Sequence, residues 1–254
     1  MGGKRKVLVV DDEAVIVDAA DRMLGAEGFA VLTAADAEQA LQLLQSDIPD
    51  IALVDLLLPG LSGLEFFHLA KKAHPDIVMI MMTGFSTLDN VTMFLKGGAL
   101  DFLPKPFTFE ELLGAVQRAS RFLDLRAAKL SNERGAAAPQ LYRLGIGSWA
   151  KADPDGTVRL GITETFKKIV GPIERIELPS VNGEVYQGGL LAQLLAKDEL
   201  KHSVWSALSG RVLSVNPEGY DNFAPLAADP WSAAWLVRIA PSNLENEVLN
   251  LSLL

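Results

Sequence analysis

The chain has 254 residues, no cysteine and a formal net charge of -9, and 49% of its residues are hydrophobic. This length and composition suit one large or two ordinary well-cored domains, while the lack of cysteine excludes disulfides and Cys-based zinc sites. Residues 1–125 hold 18 Asp/Glu against 10 Lys/Arg, and no helix-like segment carries a stripe of cations, so we expect no nucleic-acid binding.

Short apolar runs alternate with longer helical patterns in the first half. This alternation predicts a parallel sheet wound by helices, with strands buried on both faces. The predicted strands are Lys6–Val10, Ala30–Thr33, Ile51–Val54, Val78–Met82 and Asp101–Leu103. The predicted helices lie near Ala14–Leu24, Ala37–Gln45, Gly63–Ala73, Thr87–Lys96 and Phe109–Leu123.

The apolar periodicity is lost over residues 126–140, which predicts a linker between a first domain, 1–125, and a second, 141–254. Beyond it, short strand-like runs are broken by "DPDG", "VNGE", "SG" and "NPEG", a pattern typical of a small β-rich domain. Ser242 and Glu245 stand at capping-box spacing and predict a closing amphipathic helix. Because no apolar run approaches the roughly 20 residues of a membrane span, we expect a cytoplasmic protein without membrane contact.

Polar side chains follow the ends of four predicted strands of the first half: Asp11, Asp12, Asp55, Thr83 and Lys105. Ligands of open parallel sheets bind beyond the carboxyl ends of the strands, so we expect these side chains to form one site. Three carboxylates at about 4 Å repel one another by on the order of 4 kcal/mol per pair at an effective dielectric of about 20, and therefore require a cation.

Oxygen-only ligands suit Mg²⁺. With the charge offset, Asp55 can attack a phosphoryl donor, while Lys105 and Thr83 pair with phosphoryl oxygens. The alternative is structural: an Asp11–Asp12 helix cap and a surface ion pair between Asp55 and Lys105. Each residue alone favours that alternative, but the five together favour the site.

The segments "VLVVDDE", "DIALVDLLLPGLSGLEF", "MMTGF" and "DFLPKPF" resemble the receiver domain of two-component response regulators, over about residues 4–124. The resemblance implies a flavodoxin-like, doubly wound (βα)5 fold and a cis bond between Lys105 and Pro106. It also implies Mg²⁺ held by Asp11, Asp12, Asp55 and the backbone carbonyl of Leu57.

Several functional expectations follow from the same resemblance. Asp55 would accept phosphate from a sensor histidine kinase or a phosphotransfer protein. Thr83 and Phe102 would relay the event to the face of the fourth helix, fifth strand and fifth helix, through which a homodimer could form. Receivers also react with small acyl phosphates and lose phosphate by hydrolysis, so we expect a phosphoacceptor rather than an enzyme.

The second half resembles the glycine cleavage system H protein in "SWAKADPDGTVRLGITETFKKIVGPIERIELPSVNGEVYQGG", "SVWSALSGRVLSVN" and "DPWSAAWLVRI". The resemblance implies a barrel-sandwich hybrid fold, related to lipoyl domains, whose lysine at a hairpin tip bears lipoate. Counting back from Gly210 places Glu199 at the attachment position, where a carboxylate cannot form the amide. Lys197 and Lys201 are each displaced by two residues, so we expect no lipoate. We expect the lone histidine of this half, His202, to be an exposed polar residue.

Three functions remain open. The leading hypothesis is a signalling protein whose phosphorylated receiver changes how the H-like domain binds an unidentified protein partner. The second is a lipoyl carrier gated by the receiver and modified at Lys197 or Lys201. The third is a phosphate sink or relay station with a passive second domain.

Overall fold

The computed structural model describes residues 4–84, 88–128, 141–220 and 234–253, with the side chains of 88–90, 219–220 and 253 left aside. The chain forms two compact units. The first takes Met1–Ser86 and Ala99–Asp124, and the second takes Thr87–Gly98 and Leu125–Leu254. Residues 129–140 of the predicted linker, and the first residue of the predicted helix Thr87–Lys96, lie outside the described residues.

The first unit is built on a five-stranded parallel sheet in the order β2-β1-β3-β4-β5. This is the flavodoxin-like order, as expected. Its strands are β1 (Lys6–Val10), β2 (Ala30–Ala34), β3 (Ile51–Asp55), β4 (Val78–Thr83) and β5 (Asp101–Pro104). The helices of this half of the sequence are α1 (Ala14–Ala26), α2 (Ala37–Ser46), α3 (Gly63–Ala73), α4 (Leu88–Lys96) and α5 (Phe109–Ala127).

The central strands of this sheet are buried along their whole length. Every residue of β3 and β4 is buried, as the continuous apolar runs predict for parallel strands covered on both faces. Because these strands are parallel, the carboxyl ends of β1, β3 and β4 lie at the same edge of the sheet, where the polar residues begin.

Helix α3 starts at a capping box. The Ser62 hydroxyl accepts a hydrogen bond from the Glu65 amide, and the Glu65 carboxylate accepts one from the Ser62 amide at 3.0 Å. The Ser62 hydroxyl also lies 2.7 Å from Glu65 Oε2, and its hydrogen bond to this carboxylate, together with that of the Ser62 amide, lowers the pKa of Glu65. The cap fixes where the helix begins, directly after the loop that follows β3.

A buried ion pair attaches α5 to the start of β5. Arg118 Nε donates to Asp101 Oδ2 at 2.8 Å, and both side chains are 5% exposed. The other carboxylate oxygen, Asp101 Oδ1, accepts the Phe102 amide at 2.8 Å. A charged pair out of water requires its hydrogen bonds to be made, so the contact fixes one orientation of α5 on the strand.

The second unit contains two sheets whose recorded strand pairs are all antiparallel. One has seven strands in the order β10-β13-β14-β8-β7-β6-β15, and the other has three in the order β12-β11-β9. The strands of the seven-stranded sheet are β6 (Leu141–Leu144), β7 (Ser148–Ala152), β8 (Val158–Ile162), β10 (Glu184–Val185), β13 (Gly210–Val215), β14 (Trp235–Pro241) and β15 (Ser252–Leu253). Those of the three-stranded sheet are β9 (Ile173–Glu177), β11 (Leu190–Ala196) and β12 (Lys201–Trp205).

Trp149 lies on β7, next to the central strand β8 of the seven-stranded sheet. Its ring is fully buried, and its Nε1 donates to the Ile162 carbonyl at 2.8 Å. Gly161, opposite it on β8, leaves room for the ring, because a Cβ there would lie 2.5 Å from Trp149 Cζ2. The glycine is therefore a packing requirement of the core.

The closing helix is present but shorter than expected. Helix α7 (Leu244–Glu247) has one turn, and a 3-10 turn (Val248–Asn250) follows it. Its N-cap is Asn243 rather than Ser242, and the predicted capping box does not form. The helix stops because Ser252 and Leu253 pair with β6 as β15, which requires extended backbone.

The periodicity of apolar residues did not predict one helix of the β-rich half, α6 (Glu164–Val170). Its N-cap is Thr163, whose hydroxyl accepts the Phe166 amide at 3.1 Å. With only seven residues, the segment is too short to show a clear helical period.

None of the described helices combines the length and apolar character that crossing a membrane requires.

Candidate functional site

Three carboxylates come together at the carboxyl edge of the parallel sheet. Asp11 follows β1, Asp55 ends β3, and each of Asp11, Asp12 and Asp55 offers an oxygen within 4.8 Å of those of the other two. Asp11 and Asp55 are buried, whereas Asp12 is exposed. The cluster therefore has two carboxylates in the protein interior and one on the solvent-exposed surface.

Lys105 supplies the positive charge within this cluster. Its Nζ lies 2.6 Å from Asp11 Oδ2 and 2.6 Å from Asp55 Oδ2. Its backbone amide donates to the Thr83 carbonyl at 2.9 Å, which holds the residue beside β4, and its peptide bond to Pro106 is cis, as expected. Asp55 and Lys105 are thus a largely buried pair, not the solvent-exposed ion pair of the structural alternative.

Glu13 also contacts the lysine, which sequence reasoning missed. Glu13 Oε1 lies 3.1 Å from Lys105 Nζ, and the Glu13 amide donates to Asp11 Oδ1 at 3.0 Å. The run "DDE" placed a third acid next to the predicted pair, but sequence spacing does not show that its side chain turns back toward the lysine. Glu13 is the N-cap residue of α1 without a side-chain cap bond, so its carboxylate is available for that contact.

Burial and ion pairing have opposite effects on the pKa values of Asp11 and Lys105. Burial raises the pKa of Asp11, and its contacts with Lys105 and the Glu13 amide offset only part of this effect. Burial would lower the pKa of Lys105, but its close contacts with Asp11, Asp55 and Glu13 outweigh burial and raise it. A raised pKa of Asp11 favours its neutral carboxyl form, whereas a raised pKa of Lys105 favours its charged ammonium form. The shift of Lys105 prevails, because three carboxylates surround one ammonium, and the pair is therefore ionised.

The loop between β3 and α3 fixes the Asp55 carboxylate. The Leu57 amide donates to Asp55 Oδ1 at 3.1 Å, and the Gly63 amide donates to the Leu56 carbonyl at 3.1 Å. A Cβ on Gly63 would lie only 1.9 Å from the Asp55 carbonyl oxygen. The start of α3 thus packs directly against the backbone of the acid.

Thr83 and Phe102, the residues expected to relay a signal, are both buried. Thr83 ends β4 and is fully buried, and Phe102 is 2% exposed on β5. Thr83 pairs in register with Pro104 on the neighbouring strand. The structure therefore places Thr83 beside the segment that carries Lys105, while the relay itself stays a prediction.

The donor set fits a hard divalent cation. All three ligand groups are carboxylates, the oxygen type that Mg²⁺ prefers. Asp11 Oδ2 is buried and accepts no well-aligned hydrogen bond in the described residues, apart from its ion pair with Lys105. A buried carboxylate oxygen with few hydrogen bonds is stabilised when a cation lies beside it. The contribution of the Leu57 carbonyl stays a prediction.

In the second unit, Glu199 occupies the tip of the β11–β12 hairpin. It has a positive φ of 67°, and its amide donates to the Ala196 carbonyl at 3.0 Å. Lys197 begins the turn and is exposed, and Lys201 begins β12. The tip position counted from the sequence therefore carries a carboxylate, with one lysine on each side.

The expectation that His202 is exposed was wrong. The residue is fully buried on β12, where it pairs in register with Leu194. Burial alternates along this strand, so His202 and Val204 share the inward side. The neighbouring charge of Lys201 concealed this period-two pattern in the sequence.

Two family sequence models match the chain. The response regulator receiver domain matches residues 7–117, and the glycine cleavage H-protein matches residues 141–252. The response regulator MprA of Mycobacterium ulcerans is 30% identical over 162 residues, covering 63% of this chain and 68% of that protein. The DNA-binding transcriptional regulator NtrC of Escherichia coli is 37% identical over 113 residues, which is 44% of this chain and 24% of NtrC. The chain thus spans about a quarter of NtrC.

Solved receiver structures also resemble the chain. A CheY-like receiver domain protein from Methanospirillum hungatei JF-1 is 31% identical with a TM-score of 0.46, covering 50% of this chain and 99% of that one. The NtrX structure from Brucella abortus is 32% identical with a TM-score of 0.47, covering 49% of this chain and 29% of that one. The identity and coverage shared with MprA, together with the receiver match, show that this chain belongs to the response regulator family, and the segment after its receiver matches the glycine cleavage H-protein.

Proposed function

We propose that the protein is a response regulator that accepts a phosphoryl group on Asp55 in a Mg²⁺-dependent reaction, and that its second unit is a protein-binding output. The observation that carries this proposal is the pairing of Asp55 with Lys105 at 2.6 Å inside the cluster of Asp11, Asp12 and Asp55. A phosphoacceptor carboxylate needs positive charge beside it, because the incoming group adds negative charge.

The chain's own residues have distinct roles in the transfer. An Asp55 carboxylate oxygen attacks phosphorus, an O–P bond forms, and the P–N bond of a donor phosphohistidine, or the P–O bond of an acyl phosphate, breaks. The donor leaves with the bonding electron pair and there is no redox change. The Lys105 ammonium, ionised at neutral pH, pairs with the phosphoryl oxygens, and the Thr83 hydroxyl offers a second hydrogen bond. The Leu57 amide keeps Asp55 in place through Oδ1.

Asp11, Asp12 and Asp55 would hold the metal, which when bound supplies charge neutralisation for the phosphoryl group. Buried Asp11 is held by the Glu13 amide, so one ligand is oriented before any metal binds. Asp12, which is exposed, would add its carboxylate from the solvent side of the cluster. The donor in this proposal is a sensor histidine kinase or a phosphotransfer protein.

The architecture of the second unit supports an output that does not bind DNA. Within residues 141–253, the α-helices that the structure describes are α6, with seven residues, and α7, with four. Both are short for a recognition helix that must lie along the major groove. Two antiparallel sheets instead present loops and hairpins, of which the Glu199 tip is one, as the surface for a protein partner.

The test is the mass of the intact protein after incubation with acetyl phosphate. We expect the mass of one phosphoryl group per chain with Mg²⁺, none with excess EDTA, and release by hydroxylamine, which cleaves acyl phosphates. A phosphoryl group that forms equally well in EDTA, or that resists hydroxylamine, would contradict a metal-dependent aspartyl phosphate.

The H-protein match favours a second candidate, a lipoyl carrier modified at Lys197 or Lys201. The geometry opposes it, because the tip residue is Glu199 and the two lysines lie on either side of the tip. We expect protein isolated from its own host to have the unmodified mass at both lysines in peptide mapping. A lipoyl group on either lysine would contradict the proposed protein-binding output and support the lipoyl carrier. A Glu199→Lys variant that gains lipoate in cells with lipoylating enzymes is the positive control.

A further inference from the structure

Three carboxylate oxygens surround the Lys105 ammonium in the described part of the chain. Lys105 Nζ donates to Asp55 Oδ2 at 2.6 Å and to Glu13 Oε1 at 3.1 Å, and Asp11 Oδ2 lies 2.6 Å away. An ammonium group has three N–H bonds and cannot accept a hydrogen bond. The three oxygens thus match its three N–H bonds, and a phosphoryl oxygen can approach the ammonium closely only if one of them gives way.

Two of these three carboxylates are buried and held by backbone amides. The side chains of Asp11 and Asp55 are 0% and 7% exposed. The second oxygen of Asp11 accepts the Glu13 amide at 3.0 Å, and that of Asp55 accepts the Leu57 amide at 3.1 Å. Separating either carboxylate from the ammonium would leave a charge without its partner in the protein interior, which is strongly destabilising. Both contacts therefore persist until Asp55 attacks phosphorus.

The carboxylate of Glu13 is held far less firmly. Its side chain is 61% exposed, and it makes no cap bond to the start of α1. The carboxylate can thus turn into water at little cost, because an exposed ion pair contributes little stability. The cluster that fits Mg²⁺ consists of Asp11, Asp12 and Asp55, so this movement takes no ligand from the metal. Of the three contacts with Lys105, that of Glu13 is the easiest to exchange.

We propose that Glu13 is a positioning residue, which occupies in the unphosphorylated protein the place at Lys105 that a phosphoryl oxygen of the donor takes. The donor oxygen replaces the Glu13 carboxylate beside the ammonium, and no covalent bond changes in this exchange. Glu13 consequently slows phosphorylation, because each donor must displace it. This inference rests on the proposed function, since it requires transfer to Asp55, and it adds a residue that sets the rate of that transfer.

The initial rate of phosphoryl incorporation tests this role, measured on the full chain with saturating Mg²⁺ and a low concentration of acetyl phosphate. We expect Glu13→Ala to be labelled about two to five times faster than the wild type, the factor that corresponds to an exposed ion pair. Glu13→Asp keeps the charge, but its side chain is shorter by one carbon–carbon bond, about 1.5 Å, and no longer reaches Lys105. We expect it to be accelerated to a similar extent.

The matched control is Glu27→Ala, which removes an exposed glutamate at the other end of α1 and should be labelled at the wild-type rate. Circular dichroism checks that each variant is folded. Equal or slower labelling of folded Glu13→Ala would overturn the role of Glu13 and leave the phosphoacceptor intact.

The remaining outcomes separate the contact from the charge. Acceleration in Glu13→Ala without acceleration in Glu13→Asp would assign the effect to the lost charge alone and overturn the proposed exchange. Equal acceleration in Glu27→Ala would overturn it as well, because that residue lies at the opposite end of the helix. A wild-type protein that shows no Mg²⁺-dependent labelling would instead overturn the proposed function itself.

Discussion

Asp55→Asn is expected to reduce phosphorylation by acetyl phosphate to background while the protein stays folded. Asparagine has nearly the shape of aspartate but lacks the anionic oxygen that attacks phosphorus. The substitution also removes one of the carboxylates around Lys105, so no charge repulsion is added to the buried cluster. The measurement is the incorporation of labelled phosphate per chain, with circular dichroism as the check on folding.

Asp21→Asn, an exposed residue of α1, is the matched control and should label as the wild type does. Labelling that persists in Asp55→Asn would assign the nucleophile to another residue. Replacing Lys105 should leave some labelling, since in the proposed transfer its ammonium pairs with the phosphoryl group without receiving it.

Gly63→Ala is expected to be the most damaging single-methyl change near the site. The new Cβ would lie 1.9 Å from the Asp55 carbonyl oxygen and 2.9 Å from Leu56 Cα, so the backbone that carries Asp55 must move. Overpacking costs about 1–3 kcal/mol of stability, and a displacement of about 1 Å in a reacting group costs on the order of 100-fold in rate. We therefore expect both a lower melting temperature and slower phosphorylation.

Gly25→Ala is the control for this substitution. A Cβ at Gly25 meets no atom within 4 Å, and the residue lies in helix α1, so alanine should be neutral or slightly stabilising. Equal labelling rates and equal stabilities in Gly63→Ala and the wild type would show that the β3–α3 loop has room to adapt, which contradicts the tight packing described above.

The fold of the first unit was predictable because its strands are buried on both faces. Continuous apolar runs such as Ile51–Val54 identify such strands, and the polar residue after each run marks the carboxyl edge of the sheet. The meeting of Asp11, Asp55 and Lys105 followed from that rule, since parallel strands end on the same side. The contact of Glu13 with Lys105 did not, because it depends on the rotamer of one side chain.

The second unit was harder to predict because antiparallel sheets depend on pairings between distant residues. His202 is buried by an alternation that a neighbouring lysine conceals, and the closing helix is cut short by a strand pairing that no local pattern signals. The grouping of α4 with the second unit is likewise invisible in the sequence, where the helix reads as one more unit of the parallel α/β pattern.

The pairing of β15 with β6 has a consequence for how the protein is made. Ser252 and Leu253 pair with Arg143 and Tyr142, so strands from opposite ends of residues 141–253 must meet before the seven-stranded sheet is complete. Closing so long a loop is slow, and during translation it waits until residues 252 and 253 have been made. The strands of the parallel sheet, all encoded before residue 105, leave the ribosome much earlier. The nascent chain therefore has the strands that carry the carboxylate cluster well before the strand pairing that completes the seven-stranded sheet is available.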